Sequence, residues 1–474
     1  MTLPAAALRA LGLAVAVGAA GCGDNYRAIL DSMPIALKRA PMGGGMSGDG
    51  AVYAIGSEVP GTSFPMLVST GTSLTLLQQV APTTGQYATE KAGFDLLDPT
   101  NDAVRGAFRG VSLLRLPLQS IGDGSVVPGG ILSGDILRRY SVDMRFGAAC
   151  TGTPNMRCSS MTFWGHLGAD LGFLEDAGYA VIRFALYGGG EVTAEGDPDF
   201  LGQRGPLVVP PTRIVFRTCA APVDFAPDLP LETMCCKEAD ALQRSSGVDL
   251  ALALDTGVGP LVLSASSWTR VKAKLATAPV ETPGGELRIA TWPVPINTIA
   301  WSTVPKFVLV DNEAGAETDP GPCVELARAR RIEQVSYHTV MGLTPDACTL
   351  PCDNDPREPD KSLNSAAYVE LSGQIPVAVI DDEEEYLQGL RFDIRPEGPQ
   401  VDGVIGAGAL GRSRVELDYL SNPTRAVFSC EPEAPRSECL ASARCPRLPD
   451  RSFQHLCFGL PSHGLAPTCA PSGC

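Results

Sequence analysis

Two apolar runs in the sequence each end in a short polar turn. Residues 251–254 are apolar and are followed by Asp255-Thr256-Gly257. Residues 64–68 are apolar in the same way and are followed by Ser69-Thr70-Gly71-Thr72. Each run predicts a buried strand, and the glycine after it lets the backbone turn sharply. Asp255 and Ser69 are therefore expected at the ends of two strands, where their side chains are held rigidly.

Each of these turns has a second apolar segment downstream. Residues 130–137 and 403–410 both contain two apolar residues with a glycine close by, Gly134 or Gly406, and then a short apolar turn of helix. Both segments lead into a strand of alternating polarity. These strands span residues 140–146 and 415–419. One pattern therefore occurs twice, which predicts an internal repeat with a long period.

The doubled order of triplet, apolar-glycine segment and hairpin resembles the pepsin-like and retropepsin-like aspartic proteases. In that family each of two lobes contributes one Asp-Thr/Ser-Gly loop and one apolar-apolar-Gly segment. The resemblance covers roughly residues 51–430 and implies a mainly β, bilobal, pepsin-like fold. The alternative is that residues 255–257 form a strand-turn by chance, since short motifs carry a false-positive risk.

The resemblance implies chemistry that this chain lacks in part. Aspartic proteases use two carboxylates that share one proton, so that one acts as base and the other as acid. Here Asp255 stands alone, and Ser69 occupies the position of the missing aspartate. General acid–base catalysis contributes roughly 10²–10⁴-fold per group. The loss of one carboxylate is therefore expected to leave the protein nearly inactive as a hydrolase.

Some of the other motif positions match the family pattern and one departs from it. A hydroxyl three residues after the aspartate often steadies its carboxylate in the family; Thr72 fills that position in the first motif, but Val258 stands there in the second. Thr70 and Thr256 both remain. In the family these threonines form hydrogen bonds across the lobes. The resemblance also makes Tyr87 the candidate for a flap residue over the cleft.

The remaining patterns divide the 474-residue chain into segments. Residues 42–50 are rich in glycine, which predicts a flexible tether. Lys306 to Gln400 has an irregular composition that predicts an insertion. The predicted segments are a lipoprotein signal peptide (1–21), the tether (22–50), a first β lobe (51–217), an interlobe connection (218–244), a second β lobe (245–430) with the insertion (306–400), and a Cys-rich tail (431–474).

The N-terminal segment is typical of export. Arg9 precedes an apolar run over residues 11–17 that is too short for a membrane span of about 20 residues. Small residues then precede Cys22, which resembles a bacterial lipobox with Cys22 as the lipidated residue. Gly23 favours the outer membrane, so the sequence predicts a lipid-anchored protein of the bacterial cell envelope. The alternative is an ordinary signal peptide cleaved near Ala20.

Cysteine content supports an oxidising compartment. Removing Cys22 from the 15 cysteines leaves 14, an even number that can pair completely. A Cys150–Cys158 bridge is expected to close a hairpin, and Cys219 is expected to pair with Cys235 or Cys236. Cys430 and the five cysteines of the tail make six, which allow 15 pairings, so the connectivity stays open there. The other candidates are Cys323, Cys348, Cys352, Cys430, Cys439, Cys445, Cys457, Cys469 and Cys474.

Competing chemistries find little support. Residues 406–411 satisfy the dinucleotide-binding pattern G-x-G-x-x-G, but the strand that begins at Val415 leaves no room for the required helix. Ser69 as a nucleophile would need a histidine base, and His166 and His338 lie in no motif for it. No metal site and no cofactor are predicted, and the formal charge of −16 argues against nucleic acid as a partner.

Three classes of function remain open. The first is an inactive protease-like lipoprotein that binds a peptide or protein in the interlobe cleft. The second is an active aspartic endopeptidase with a non-standard second carboxylate. The third is a structural or adhesion protein of the envelope. The sequence identifies neither the ligand nor the oligomeric state.

Overall fold

The computed structural model describes most of both predicted lobes. The described residues are 26–30, 33–79, 88–149, 157–165, 180–188, 190–192, 207–209, 211–222, 247–311, 321–327, 367–392, 401–411, 413–430 and 439–442. They are mainly β, as the sequence predicts.

The strands before residue 185 are β1 (Arg27–Leu30), β2 (Ile35–Gly43), β3 (Met46–Ser57), β4 (Phe64–Val68), β5 (Leu76–Gln78), β6 (Ala88–Leu97), β7 (Val104–Leu116), β8 (Gly130–Leu132), β9 (Ser141–Ala149), β10 (Arg157–Trp164) and β11 (Ala180–Arg183). The strands after it are β12 (Ala185–Tyr187), β13 (Gly190–Val192), β14 (Leu207–Val209), β15 (Arg213–Ala220), β16 (Val248–Asp255), β17 (Leu261–Ser264), β18 (Thr282–Pro283), β19 (Glu286–Leu287), β20 (Ile296–Asn297), β21 (Ala300–Val310), β22 (Tyr368–Ile380), β23 (Gly403–Gly406), β24 (Ser413–Asp418), β25 (Arg425–Cys430) and β26 (Cys439–Ser442). The helices are α1 (Gly134–Leu137), α2 (Ala265–Lys272), α3 (Glu385–Phe392) and a 3-10 helix (Ala407–Leu410).

Strand pairing confirms the internal repeat. In the first lobe β4 runs parallel to β8, β5 is antiparallel to β8, and β5 is parallel to β7. In the second lobe β16 runs parallel to β23, β17 is antiparallel to β23, and β17 is parallel to β22. In each lobe, therefore, the strand of the downstream apolar segment lies between two others: the strand that ends in the triplet and the strand that follows the triplet.

The two lobes meet in a shared sheet. The sequence predicts one hairpin at the end of each lobe, and both hairpins form, as β9–β10 and β24–β25. The structure adds that β9 pairs directly with β24 across the lobes. One hydrophobic core runs continuously from Met66 and Val68 through this sheet to Leu252 and Ile405. The lobes are thus joined by backbone hydrogen bonds and by buried apolar side chains.

The flexible tether predicted over residues 22–50 is wrong over most of its described length, because β1 pairs with β7 and the residues after it form a hairpin. Residues 35–50 lie in the antiparallel hairpin of β2 and β3. Its glycines form the tip of the hairpin: Gly44 has a φ of +62° and lies against the ring of Trp301. Met42 is 4% exposed and packs in an apolar cluster of the second lobe. The glycine-rich composition here serves a tight turn and a close contact between lobes.

The predicted boundary between the lobes is also wrong. Residues 213–217 were expected in the first lobe and 218–220 in the connection, but together they form β15, which pairs with β16 and β21 of the second sheet. Alternating apolar residues predict the strand, but they do not specify which sheet it joins. Residues 306–310 and 367–392, expected in an insertion, contribute to β21, β22 and α3.

The described disulfide also differs from the prediction. Cys219 is bonded to Cys323, which lies 104 positions later in sequence, and not to Cys235 or Cys236. Cys219 lies on β15, and both sulfurs are buried in a cluster with Val308 and Tyr368. Cys430 is disulfide-bonded as well. Cys22, Cys150, Cys348, Cys352 and the tail cysteines after Cys439 lie outside the described residues.

Candidate functional site

The two triplet loops face each other at the junction of the lobes. Ser69 follows β4, and Asp255 is the last residue of β16, as the apolar runs before them predict. The Ser69 hydroxyl donates a hydrogen bond to Asp255 Oδ1 at 2.8 Å. Residues 186 positions apart in sequence are thus in direct contact. This is the arrangement that the family resemblance implies.

The two threonines of the triplets fasten the loops to each other. Thr70 Oγ1 donates to the Leu254 carbonyl at 2.9 Å, and it accepts from the Thr256 N–H at 3.2 Å. Thr256 Oγ1 donates to the Val68 carbonyl at 2.7 Å. Each hydroxyl therefore reaches the strand end of the opposite lobe. The expected hydrogen bonds across the lobes are confirmed for both residues.

The hydrogen bonds of Ser69 and Asp255 reach into both loops. The Ser69 oxygen also lies 2.9 Å from the Thr72 hydroxyl oxygen and accepts from the Thr72 N–H at 3.1 Å. Asp255 Oδ1 accepts a second hydrogen bond from the Gly257 N–H at 2.8 Å. Thr72 therefore has the supporting position predicted for it. In the second loop Val258 is buried in an apolar cluster and offers no hydroxyl.

Two glycines allow the loops to approach this closely. A Cβ atom on Gly71 would lie 2.5 Å from Asp255 Cγ, and one on Gly257 would lie 3.0 Å from both Asp255 Oδ1 and Ser69 Cβ. Distances near 2.5 Å are far inside ordinary carbon contacts of about 3.5–4.0 Å. Gly71 thus covers the carboxylate directly. Both glycines are required by the approach of the opposite loop.

Burial sets the electrostatics of the carboxyl group. Asp255 is 7% exposed and Ser69 is 1% exposed. Burial raises the pKa of Asp255 above its ordinary value, while the hydrogen bonds from Ser69, Gly257 and Gly71 and the positive charge of Arg213 lower it. The Ser69 hydroxyl and the two N–H groups supply donors to this carboxyl group, as a buried polar group requires. This carboxyl group is therefore held by neutral donors where the family has a second carboxyl group.

The downstream glycine of the first lobe differs from the prediction by one residue. Gly406 lies beside Asp255 in the parallel register of β16 and β23. In the first lobe Val68 lies beside Leu132, so the register places Ser133, not Gly134, beside Ser69. The backbone hydrogen bonds agree with this register. The Gly134 N–H donates to the Thr72 carbonyl and the Ala407 N–H donates to the Val258 carbonyl, so Gly134 is equivalent to Ala407 and not to Gly406. Since Gly134 is the nearest glycine in sequence, the pattern alone favoured it.

Two residues near Asp255 were missed by the sequence analysis. Arg213, at the start of β15, donates from Nε to the Gly71 carbonyl at 2.9 Å. Tyr386, on α3, is buried, and the charge of Asp255 contributes to a raised pKa of its phenol, after burial itself. Neither residue belongs to a motif, and both reach the site from elements whose position only the fold defines. No sequence signal would have identified them.

The structure describes one of the other predicted candidates, the dinucleotide-binding pattern, and several more lie outside the described residues. Residues 407–410 form a single turn of 3-10 helix before β24, which agrees with the rejection of a dinucleotide site. Tyr87, His166 and His338 lie outside the described residues. Among the described residues no cluster of His, Cys, Asp and Glu could hold a metal ion, and no helix is long and apolar enough to span a membrane.

Comparisons with known proteins add little beyond this geometry. No family model matches the chain, and no curated protein matches it. Among solved structures, the aspartic proteinase from Irpex lacteus is similar, with 10% identity over 85% of this chain and 97% of that chain and a TM-score of 0.32. Such a score carries no argument about function. The protease-like fold is recognised instead from the facing loops and the repeated strand pairing.

Proposed function

We propose that this protein is an envelope lipoprotein whose aspartic-protease-like cleft binds a peptide or protein segment without cleaving it. The observation that carries the proposal is the 2.8 Å hydrogen bond between Ser69 and Asp255. A serine hydroxyl can orient a water molecule, but it cannot act as a base at neutral pH. Asp255 alone cannot serve as acid and base in one step, since the family divides these roles between two carboxyl groups.

The rest of the site supports binding without hydrolysis. The hydrogen bonds of Thr70 and Thr256 between the loops and the close approach of the loops at Gly71 and Gly257 are all present, so the two loops are joined as the proposal requires. The hydrogen bonds of the Asp255 carboxylate come from Ser69 and from backbone N–H groups, and no described carboxylate contacts it. Joined loops and the absence of a second carboxyl group from the described contacts of Asp255 both support binding over cleavage.

A peptidase assay tests this proposal. Purified protein without its lipid anchor is incubated with casein and with a peptide library from acidic to neutral pH, and we expect no cleavage above background. Ser69→Asp restores two carboxyl groups in contact, and we expect any gained cleavage in the acid range, blocked by a statine peptide. Ser69→Asn is the matched control, because asparagine has nearly the size of aspartate but carries no charge. Cleavage by the wild type that Asp255→Asn abolishes would overturn the proposal and favour the active endopeptidase.

The envelope location is proposed from the N-terminal sequence. Small residues before Cys22 and the predicted pairing of the other cysteines support export and lipidation. In a bacterial host, labelling with radioactive palmitate should appear on the wild type and be absent from Cys22→Ala. Labelling that persists in the variant would leave an ordinary signal peptide in place of the lipid anchor.

A further inference from the structure

Tyr26, four residues after Cys22, is already fastened to the first lobe. Its hydroxyl oxygen lies 2.8 Å from that of Tyr140, which is buried in the core. Ala28 and Leu30, on the inner face of β1, pack against the same core. The whole of β1 pairs with β7. The strand is therefore held in place from its first residue.

The chain between the proposed lipid attachment and β1 is short. Three residues, 23–25, separate Cys22 from Tyr26. A chain extends by at most about 3.3–3.6 Å per residue, so Tyr26 lies within roughly 14 Å of Cys22. A tether over the full range 22–50 would reach several times farther. A lipid on Cys22 therefore holds β1 close to the bilayer surface.

The outer face of the sheet at β1 carries exposed apolar side chains. Paired residues of neighbouring strands point to the same face, and so do residues two apart in one strand. Ile29 pairs with Ala107, which pairs with Asp95 on β6. Two residues farther along β6, Leu97 pairs with Val104 across a register shift. Ile29 and Val104 therefore share this face, where they are 69% and 50% exposed.

Cationic side chains border these apolar residues. Arg27 pairs with Arg109 two positions before Ile29, so both arginines lie on the same face. Arg27 is exposed, and the Arg109 side chain, which contacts Asp95, is half exposed. Arginine lays its apolar stem along apolar surface and keeps its charge in water, where anionic lipid headgroups attract it. Exposed aliphatic groups beside arginines thus suit the surface of a phospholipid bilayer.

We propose that the face formed by Arg27, Ile29 and Val104, which we call the docking face, lies on the phospholipid surface of the bilayer that holds the Cys22 lipid. Among the described residues β1 pairs on one side only, so a strand of a second copy is the competing occupant. Such a strand would add to the edge of the sheet, whereas Ile29 and Val104 project from its face. The inference rests on the proposed lipid anchor and is independent of what the cleft binds.

Mature lipidated protein in vesicles of phosphatidylethanolamine and phosphatidylglycerol tests this contact. Part of the lipid carries bromine high on its acyl chains, where it quenches only tryptophan that touches the bilayer. Ile29→Trp and Val104→Trp each add one probe to the docking face, and the wild type, with its four tryptophans, gives the background. We expect brominated lipid to quench most of the fluorescence that either probe adds.

Val280→Trp is the matched control. Val280 is 84% exposed, and its carbonyl accepts from Ser302 on β21, so it belongs to the second lobe. We expect no quenching of the fluorescence added there. Because all three positions are exposed, the urea midpoints of the variants should equal that of the wild type. Adding Ile29→Asn to Val104→Trp should reduce the docked-to-undocked ratio about tenfold, since one aliphatic side chain is no longer buried.

Several results would overturn the docking face while leaving the lipid anchor in place. Quenching at Ile29 alone would show that only the chain next to Cys22 reaches the lipid. Equal quenching at Val280 would show contact without a preferred face. Quenching at neither face probe, with cross-linking of two copies through β1, would assign the face to a second copy. If Cys22 carries no palmitate, the proposed anchor itself fails, and this inference fails with it.

Discussion

Replacing Thr256 with valine removes one hydroxyl from the contact between the lobes and nearly keeps the shape of the side chain. In the wild type this residue is 1% exposed, and its hydroxyl donates to the Val68 carbonyl at 2.7 Å. In the variant that carbonyl faces a methyl group. Leaving a buried polar group without its partner costs about 1–3 kcal/mol. We therefore expect the free energy of unfolding to fall by about that amount.

Thr269→Val is the matched control for this change. Its hydroxyl donates to a backbone carbonyl at nearly the same distance, 2.8 Å to Ala265, but at an exposed position of α2. Water replaces an exposed partner, so a surface substitution is expected to cost at most about 0.5 kcal/mol. Urea unfolding, followed by tryptophan fluorescence, measures both variants. An unchanged slope against urea would show that stability has changed and not the nature of the unfolding transition.

The control also defines the result that would refute the reasoning. If Thr256→Val and Thr269→Val lose the same small amount, the buried threonine bonds contribute nothing to holding the loops together. A second check uses Thr70→Val, because Thr70 Oγ1 accepts from the Thr256 N–H. Residues in one hydrogen-bond network are not additive. The double variant should therefore differ from the sum of the single losses by more than about 0.5 kcal/mol.

Two further predictions concern the contact between the lobes. Burial and the charge of Asp143 raise the pKa of Glu416 to about 7, so its neutral form is favoured in the folded protein. The stability from this group is present below the ordinary glutamate pKa and is lost as the pH rises through about 7. As the pH rises from below the ordinary glutamate pKa to above 7, the free energy of unfolding of the wild type should therefore fall by up to about 3 kcal/mol relative to that of Glu416→Gln. Urea midpoints of both proteins near pH 5 and pH 8 measure this difference. Wild-type and variant midpoints that change in parallel with pH would contradict it. Gly44→Ala would place a Cβ 2.1 Å from the ring of Trp301, whereas a Cβ on Gly45 meets nothing within 4 Å. Both have positive φ, so the excess destabilisation of Gly44→Ala, expected at about 1–3 kcal/mol, isolates the clash; equal midpoints would refute it.

Local patterns were sufficient to predict the paired loops. The apolar run before Asp255 fixes a strand, and the glycine after it fixes a turn, so the position of the carboxyl group follows from residues close in sequence. The repeat supplied the second loop and placed Ser69 opposite. The contact between the two then follows from the symmetry of the pattern. The hairpins at residues 140–164 and 415–430 were predictable for the same reason, since alternation with period two is a local signal.

The errors share a different cause, which is contact between distant parts of the chain. The glycines at residues 43–45 have the composition of a linker, and only the presence of Trp301 across the lobe boundary makes them a hairpin tip. Cys219 has near neighbours in sequence, yet its partner Cys323 is brought to it by the pairing of β15 with β21. Tyr386 reaches the site from a helix that belongs to no motif. No local pattern contains this information.

The geometry explains how the two triplet loops of this fold can be joined around a single carboxyl group. Two buried carboxyl groups in contact cannot both ionise, so a pair of aspartates needs a shared proton to be stable. Ser69 and Asp255 need none, because the Ser69 hydroxyl donates to the carboxyl oxygen at 2.8 Å and the Gly257 N–H donates to the same oxygen. The hydrogen bonds of Thr70 and Thr256 do not involve the side chain of Ser69. The bonds between the two loops therefore form with a single carboxyl group, and the proposed binding without cleavage is compatible with each of these contacts.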